Sequence, residues 1–348
     1  MVLEIKNRIE KELSRFLRDA ERLYRLKRLS PLLAKHLKEF VLRPGKRLRP
    51  TLFVLAYKGL ARHRQTGLYR SAIAIELLHT FMLIHDDIID KAERRRDKPS
   101  LHAQLGNHLA QYAHIKFNGQ DLSLVIGDIL YAMAIAAFIS INEDPTRKEK
   151  ALRKLVEAAV FTGSGEFIEL LYGAEAIDNI TSKTVTNIYD YKTAHYTFVC
   201  PLTTAGILAG TTGRTLDTLE RCGILWGRAF QIRDDILGLF GDETKIGKST
   251  MSDLQEAKKT ILIWHAWRHS SAKTKTIIRK ILEAKIVTQA EHLIIQRIIR
   301  DAGTLEYAEQ TISSFVEKAC RTIKTIPLRE PYRKQLISYS EEIILRKA

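Results

Sequence analysis

The chain has 348 residues, 45% of them hydrophobic, and a net charge of +16. That apolar content excludes a disordered chain, and the scarcity of Gly (18) and Pro (8) argues against a turn-rich sandwich or propeller. The length fits one large domain or two ordinary ones. Cys200, Cys222 and Cys320 are far apart and odd in number, so they make neither a disulfide framework nor a CxxC metal site. They read as isolated thiols of a reducing compartment. The charge is compatible with nucleic acid, an anionic membrane surface or small anionic substrates.

The N-terminus is charged from Glu4 onward, unlike a signal peptide. Residues 1–27 place Leu3, Ile5, Ile9, Leu13, Phe16, Leu17 and Leu23 at mixed three- and four-residue spacing, which predicts an amphipathic helix. Similar patterns predict helices over roughly 48–62, 70–91, 99–116, 121–141, 148–175, 184–190, 195–212 and 215–240. They continue over roughly 254–269, 271–284, 288–301, 304–323 and 330–346. The stretch Leu122 to Ile141 is apolar enough to suggest a membrane span, but Gly127, Asp128 and several small residues favour a buried core helix. No alternating strand pattern with an NG or DG hairpin signal occurs. The breaks are short, at Arg43-Pro44-Gly45, Arg96–Pro99, Asn142–Pro145 and Gly241–Ser252, and no linker separates two compositions. The reading is a single all-α domain over 1–348, soluble and cytoplasmic.

One weak internal echo pairs His85-Asp86-Asp87-Ile88-Ile89-Asp90 with Arg233-Asp234-Asp235-Ile236-Leu237-Gly238. Asp86 and Asp90 lie about 40° apart on a helix, one turn apart. Like charges at that spacing cost roughly 0.2–0.5 kcal/mol, and a helix C-terminus disfavours anions further. Such carboxylates call for an outside cation, and hard oxygen ligands suit Mg²⁺, which commonly shares its site with substrate phosphates. A solvated acidic helix end is the plain alternative. Asp234 and Asp235 follow a second apolar run, Ile224 to Ile232, and two such helix ends facing a cavity would hold a cluster of Mg²⁺ ions. Lys46 and Arg49 are three apart at a starting helix, and Arg95-Arg96 follow Asp90 closely. A helix N-terminus with Lys and Arg suits a diphosphate by dipole and charge together. Metal-holding carboxylates beside separate Lys/Arg sets suggest two different diphosphates.

At these residues the sequence resembles the trans-type isoprenyl diphosphate synthases, from about Leu33 to the C-terminus. The motifs, in order, are GKRLRP (45–50), ELLHTFMLIHDDIIDKAERRRDKPSLH (76–102), GD (127–128), YKTA (191–194), FQIRDDILGLFGD (230–242) and GKSTMSDLQEAKKT (247–260). Departures from the family pattern are Pro44 before Gly45-Lys46, Asp97 after Arg95-Arg96, Glu166 and Glu169 in place of Gln and Asp, and Gly238 in place of Asp. The resemblance implies an all-α fold, one large helical bundle around a central cavity, and usually a homodimer. It implies Asp86, Asp90 and Asp234 as Mg²⁺ ligands, with Asp87 and Asp235 orienting ligands and waters. It implies Lys46, Arg49, His79 and Arg96 as the pocket for isopentenyl diphosphate. Arg95, Lys192, Lys248 and Lys258 then hold the allylic diphosphate, while Thr193 and Gln231 are dipoles lining the carbocation.

The implied reaction is head-to-tail prenyl transfer. Pyrophosphate departs, the isopentenyl double bond attacks the allylic cation, and a proton is lost, with water kept out. A class I terpene cyclase would leave GKRLR and Arg95-Arg96 without an obvious use. A non-catalytic subunit would be expected to lose carboxylates, and a basic nucleic-acid binder would not need two aspartate sets. For product length the resemblance singles out Phe81, five residues before Asp86, whereas helix phase favours Met82, about 40° from Asp86. The uninterrupted first motif with one aromatic beneath it resembles geranylgeranyl more than farnesyl diphosphate synthases, so a twenty-carbon product is expected, with fifteen carbons second.

Overall fold

The computed structural model describes residues 1–63, 65–95, 98–242 and 249–346. The helices, in chain order, begin with α1 (Val2–Tyr24), α2 (Leu26–Leu29), α3 (Pro31–Val41), α4 (Leu48–Leu60), α5 (Leu68–Ile89) and α6 (Leu101–Leu109). They continue with α7 (Gly119–Phe138), α8 (Pro145–Ala174), α9 (Ser182–Ile188), a π-helical segment (Tyr189–Val199), α10 (Cys200–Leu208) and α11 (Arg214–Phe240). The last are α12 (Ser252–Gln255), α13 (Ile261–Arg268), α14 (Ala272–Leu282), α15 (Gln289–Asp301), α16 (Thr304–Ile323) and α17 (Glu330–Ile344). The expected all-α class is what is found. Among the described residues the departure from it is a two-residue antiparallel ladder, β1 (Arg94–Arg95) with β2 (Lys98–Pro99), pairing Arg94 with Pro99 and Arg95 with Lys98.

The chain forms two compact units, each assembled from three separate stretches. Unit 1 comprises Met1–Leu155, Pro201–Thr212 and Leu328–Gln335. Its centre is α5, buried from Leu68 through Thr80 except for Arg70. α5 packs most extensively on α7, where Ser71 Oγ donates to the carbonyl of Phe138 at 2.7 Å. Among the described residues α7 is the helix long and apolar enough to cross a membrane, and it buries Ile126, Leu130, Met133 and Ala137 within the unit. The apolar stripe Ile5, Ile9, Leu13, Leu17 of α1 is buried as its spacing predicts. Ser30, Ser100 and Asn118 cap the helices that follow them, each accepting from a backbone N–H of the first turn.

Unit 2 comprises Val156–Cys200, Gly213–Pro327 and Leu336–Ala348, with α11 packed against the π-helical segment and α16. Periodicity predicts a break between 190 and 195, but the backbone stays helical from Ser182 to Leu208 by widening into the π form. Such segments are rare and concentrate at functional sites. Two glycines admit this wider turn. A Cβ at Gly165 of α8 would run into the backbone of Lys192, and one at Gly227 of α11 into Ala194. The predicted helix over 254–269 is instead two, α12 and α13, separated by Ala257 in a left-handed conformation at φ 52°.

Candidate active site

In unit 1 the first aspartate set closes α5 as predicted. The N–H of Asp90 bonds to the carbonyl of Asp86, and carboxylate oxygens of the two residues lie within 4.8 Å of each other. Asp87 turns inward and is 1% exposed. Arg95 Nε donates to Asp87 Oδ1 at 2.6 Å and its Nη2 to Asp86 Oδ2 at 3.0 Å, so the loop after α5 returns a cation to the acidic helix end. Burial pushes the Asp87 carboxyl up to about 6, and Arg95 opposes that shift. Asp87 Oδ2 is buried without a hydrogen-bond partner among the described residues. Arg43 supports the same loop by donating to the carbonyls of Arg95, at 3.4 Å, and Pro99, at 2.9 Å.

The cluster 45–50 differs from the expected start of a helix. α4 begins at Leu48, and Arg47 ahead of it adopts a left-handed conformation at φ 48°, so Lys46 precedes the helix rather than sharing a face of it with Arg49. Lys46 is exposed and Arg49 buried. Arg47 is structural. Its guanidinium is buried between Glu10, at 2.6 Å, and Glu76, at 2.7 Å, and donates to the carbonyl of Arg43 at 2.9 Å. His79 is buried on α5. Phe81 packs against His85, with ring centroids 4.6 Å apart, and against Tyr131 of α7 at 5.3 Å. Gly127 admits this contact, since a Cβ there would lie 2.5 Å from His85 Nε2. Met82 is half-buried beside Phe81.

In unit 2 the π-helical segment presents Lys192 and Thr193 on adjoining positions. Lys192 Nζ is gripped by Glu166, at 2.7 Å, and by Glu169, both from α8. Two of the residues that depart from the family pattern, Glu166 and Glu169, therefore hold the lysine implied to bind substrate. Thr193 Oγ1 donates to Gln231 Oε1 at 2.6 Å, and Gln231 Nε2 donates to Asp235 Oδ1 at 3.0 Å. Tyr189 donates its hydroxyl proton to the other oxygen of Asp235 and accepts from the N–H of Ile261 at 2.8 Å. Burial drives both Asp235 and Tyr189 well above their ordinary values. This chain orients the Gln231 amide through residues far apart in sequence.

Asp234 and Asp235 lie within α11, more than a turn before its end at Phe240, rather than at a helix C-terminus. Asp235 is buried, while Asp234 is half-buried and pairs with Arg346. The Arg346 guanidinium also sits 4.9 Å from the Phe230 ring centroid. Gly238, at the motif's fifth position, faces Asp253, and a Cβ there would come 2.7 Å from Asp253 Oδ2. A carboxylate already stands beside the position that lacks one. Lys258 pairs with Glu256 at 2.5 Å and lies 3.9 Å from Asp253. Arg96 and Lys248 fall outside the described residues. Tyr189, Asp253 and Arg346 carry no local signal of a role, because their partners lie 46, 15 and 112 positions away.

The donor chemistry at the end of α5 fits a hard divalent cation. Carboxylate oxygens are the ligands Mg²⁺ prefers, and Asp86 and Asp90 bring two of them together.

Residues 30–299 match the sequence model of the family described as Polyprenyl synthetase. The octaprenyl diphosphate synthase of Escherichia coli is 28% identical over 87% of this chain and 86% of its own length. The geranylgeranyl diphosphate synthase of Saccharolobus solfataricus is likewise 28% identical, over 87% of this chain and 86% of its own. Among solved structures, geranylgeranyl pyrophosphate synthase from Corynebacterium glutamicum, complexed with isoprenyl diphosphate and magnesium, superposes with a TM-score of 0.87. It is 27% identical and covers 97% of this chain and 98% of that one.

Proposed function

Because the chain belongs to the polyprenyl synthetase family, and so is a trans-prenyltransferase, we propose that it condenses isopentenyl diphosphate head to tail with an allylic diphosphate, using Mg²⁺. The observation that carries this reading is the Asp86–Asp90 carboxylate pair at the end of α5. Asp86 and Asp90 would hold the metal, and Asp234 would serve the second aspartate motif. The bound cation supplies positive charge to the departing pyrophosphate. Lys192, Lys258, Lys248 and Arg95 bind the allylic diphosphate, with Arg95 also holding Asp86 and Asp87 in place. Lys46, Arg49, His79 and Arg96 bind isopentenyl diphosphate. Thr193 and Gln231 direct their oxygen dipoles at the allylic cation, and the Thr193–Gln231–Asp235 bonds keep them aimed before charge develops. The C1–O bond of the allylic substrate breaks with its electron pair leaving on pyrophosphate. The isopentenyl π electrons form the new C–C bond, and loss of a proton restores a double bond.

Geranylgeranyl diphosphate is the product we favour, with Phe81 on its Tyr131 support as the floor and Met82 as its neighbour. The alternatives are farnesyl diphosphate or a longer chain, the latter supported by the similarity to an octaprenyl synthase. Residues 1–348 act as one catalytic domain, in the cytoplasm, without nucleic acid. A homodimer is supported by the exposed Leu124, Val125 and Ile139 on and just beyond α7. Incubation with labelled isopentenyl diphosphate and allylic acceptors of increasing length tests the proposal. Mg²⁺-dependent extension of an acceptor supports it, and cyclisation of one diphosphate without isopentenyl incorporation refutes it.

A further inference from the structure

Unit 1 contains a large cavity, about 1160 Å³, at the opposite end of α5 from Asp86. It is lined by α1, the end of α4, the residues leading into α5 and the start of α17. Arg8, Lys11, Arg15 and Arg18 recur at i, i+3, i+7 and i+10, which confines them to a stripe about 80° wide and about 15 Å long on α1. Arg62 and Arg329 face the same space from other elements. Among the described lining residues, basic side chains outnumber carboxylates eight to two.

Internal pairing does not account for this charge. Glu12 is taken by Arg70 at 2.5 Å, and Arg70 also engages Asp19 at 2.8 Å. The Arg8 guanidinium stands 4.1 Å from the Tyr69 ring centroid, while Lys58 Nζ donates to the Tyr69 hydroxyl at 3.3 Å. Lys11, Arg15, Arg18 and Arg62 close no salt bridge among the described residues. Gathering one sign of charge on a concave wall focuses the field and attracts counter-ions. Guanidinium forks match phosphate oxygens two at a time. The volume exceeds what one phosphate fills. Along α5 the cavity lies about 24 Å from Asp86, so it is no extension of the aspartate cluster.

We propose that this cavity binds a phosphate-bearing polyanion, with several phosphates spread over about 15 Å, the length of the α1 stripe. A soluble polyphosphate and the headgroups of anionic phospholipids share that chemistry. The test compares wild type with Arg15→Glu/Arg62→Glu in two assays on the full chain. One is calorimetric titration with tripolyphosphate in EDTA, and the other is co-sedimentation with phosphatidylglycerol vesicles. Wild type is expected to show one more class of tripolyphosphate site than the variant, or at least tenfold tighter vesicle binding. Loss of the tripolyphosphate site assigns a soluble ligand, and loss of vesicle binding alone assigns the headgroup. The neutral pair Arg15→Gln/Arg62→Gln should show a smaller loss in the same direction and serves where charge reversal disturbs folding. Unchanged prenyl transfer in the variants certifies their fold. Equal binding of both probes by wild type and variants, or binding of neither by wild type, overturns the proposal.

Discussion

Replacing Gly165 by alanine tests whether the position of Lys192 depends on the contact between α8 and the π-helical segment. A Cβ at Gly165 would run into the backbone nitrogen and Cα of Lys192, which cannot rotate aside as a side chain would. Overpacking of this kind costs about 1–3 kcal/mol. The alanine also gains about 0.8–1 kcal/mol of helix propensity, so the net cost is roughly 0–2 kcal/mol, and with an unfolding entropy of about 2.1 cal/mol/K per residue over 348 residues that lowers Tm by up to about 3 °C. Gly163, on the same helix, has nothing within 4 Å of its ideal Cβ. Alanine there gains about 0.8–1 kcal/mol of helix propensity and should raise Tm by about 1 °C. Only Gly165→Ala displaces Lys192 from between Glu166 and Glu169, so only that variant should raise KM for the allylic substrate. Calorimetry and steady-state kinetics on the two variants check both halves. Shifts of Tm in the same direction, or an unchanged allylic KM in Gly165→Ala, would refute the reasoning.

Asp86→Ala and Asp234→Ala should abolish Mg²⁺-dependent turnover while leaving circular dichroism unchanged, and wild-type turnover in either removes the metal assignment. Lys46→Ala or Arg49→Ala should weaken isopentenyl diphosphate binding by about 1.5–3 kcal/mol, the value of a charge-assisted contact, and allylic binding by less. Equal losses for both substrates contradict two separate pockets. Phe81→Ala removes the ring resting on Tyr131 and should lengthen the product on chromatography, with an unchanged distribution moving the floor to Met82. Burial pushes the Cys222 thiol up to about 12, and burial with Glu341 beside it does the same for Cys320. Both stay protonated at pH 8, and Cys200 is buried as well, so a thiol reagent should label no cysteine until the protein is unfolded.

Local patterning determined most of the helices but not α3, and it set Asp86 and Asp90 at a helix end while Asp234 and Asp235 fall inside α11. The three- and four-residue spacing of Ile5, Ile9, Leu13 and Phe16 suffices for α1, because a buried helix face needs only that repeat. Asp86 and Asp90 were legible for the same reason, since one turn of helix brings i and i+4 together whatever surrounds them. The π form of Tyr189–Val199 was not legible. It depends on Gly165 and Gly227, which lie on helices distant in sequence and let their backbones approach. The separation of Lys46 from Arg49 turns on the left-handed Arg47, held by Glu10 and Glu76. Arg346 reaches Asp234 and Tyr189 reaches Asp235 only once the chain has folded back on itself. Periodicity reports which face of an element is buried, but not which partner it meets. The partners that grip Lys192, orient Gln231 and cap Asp234 were therefore decided by tertiary packing alone.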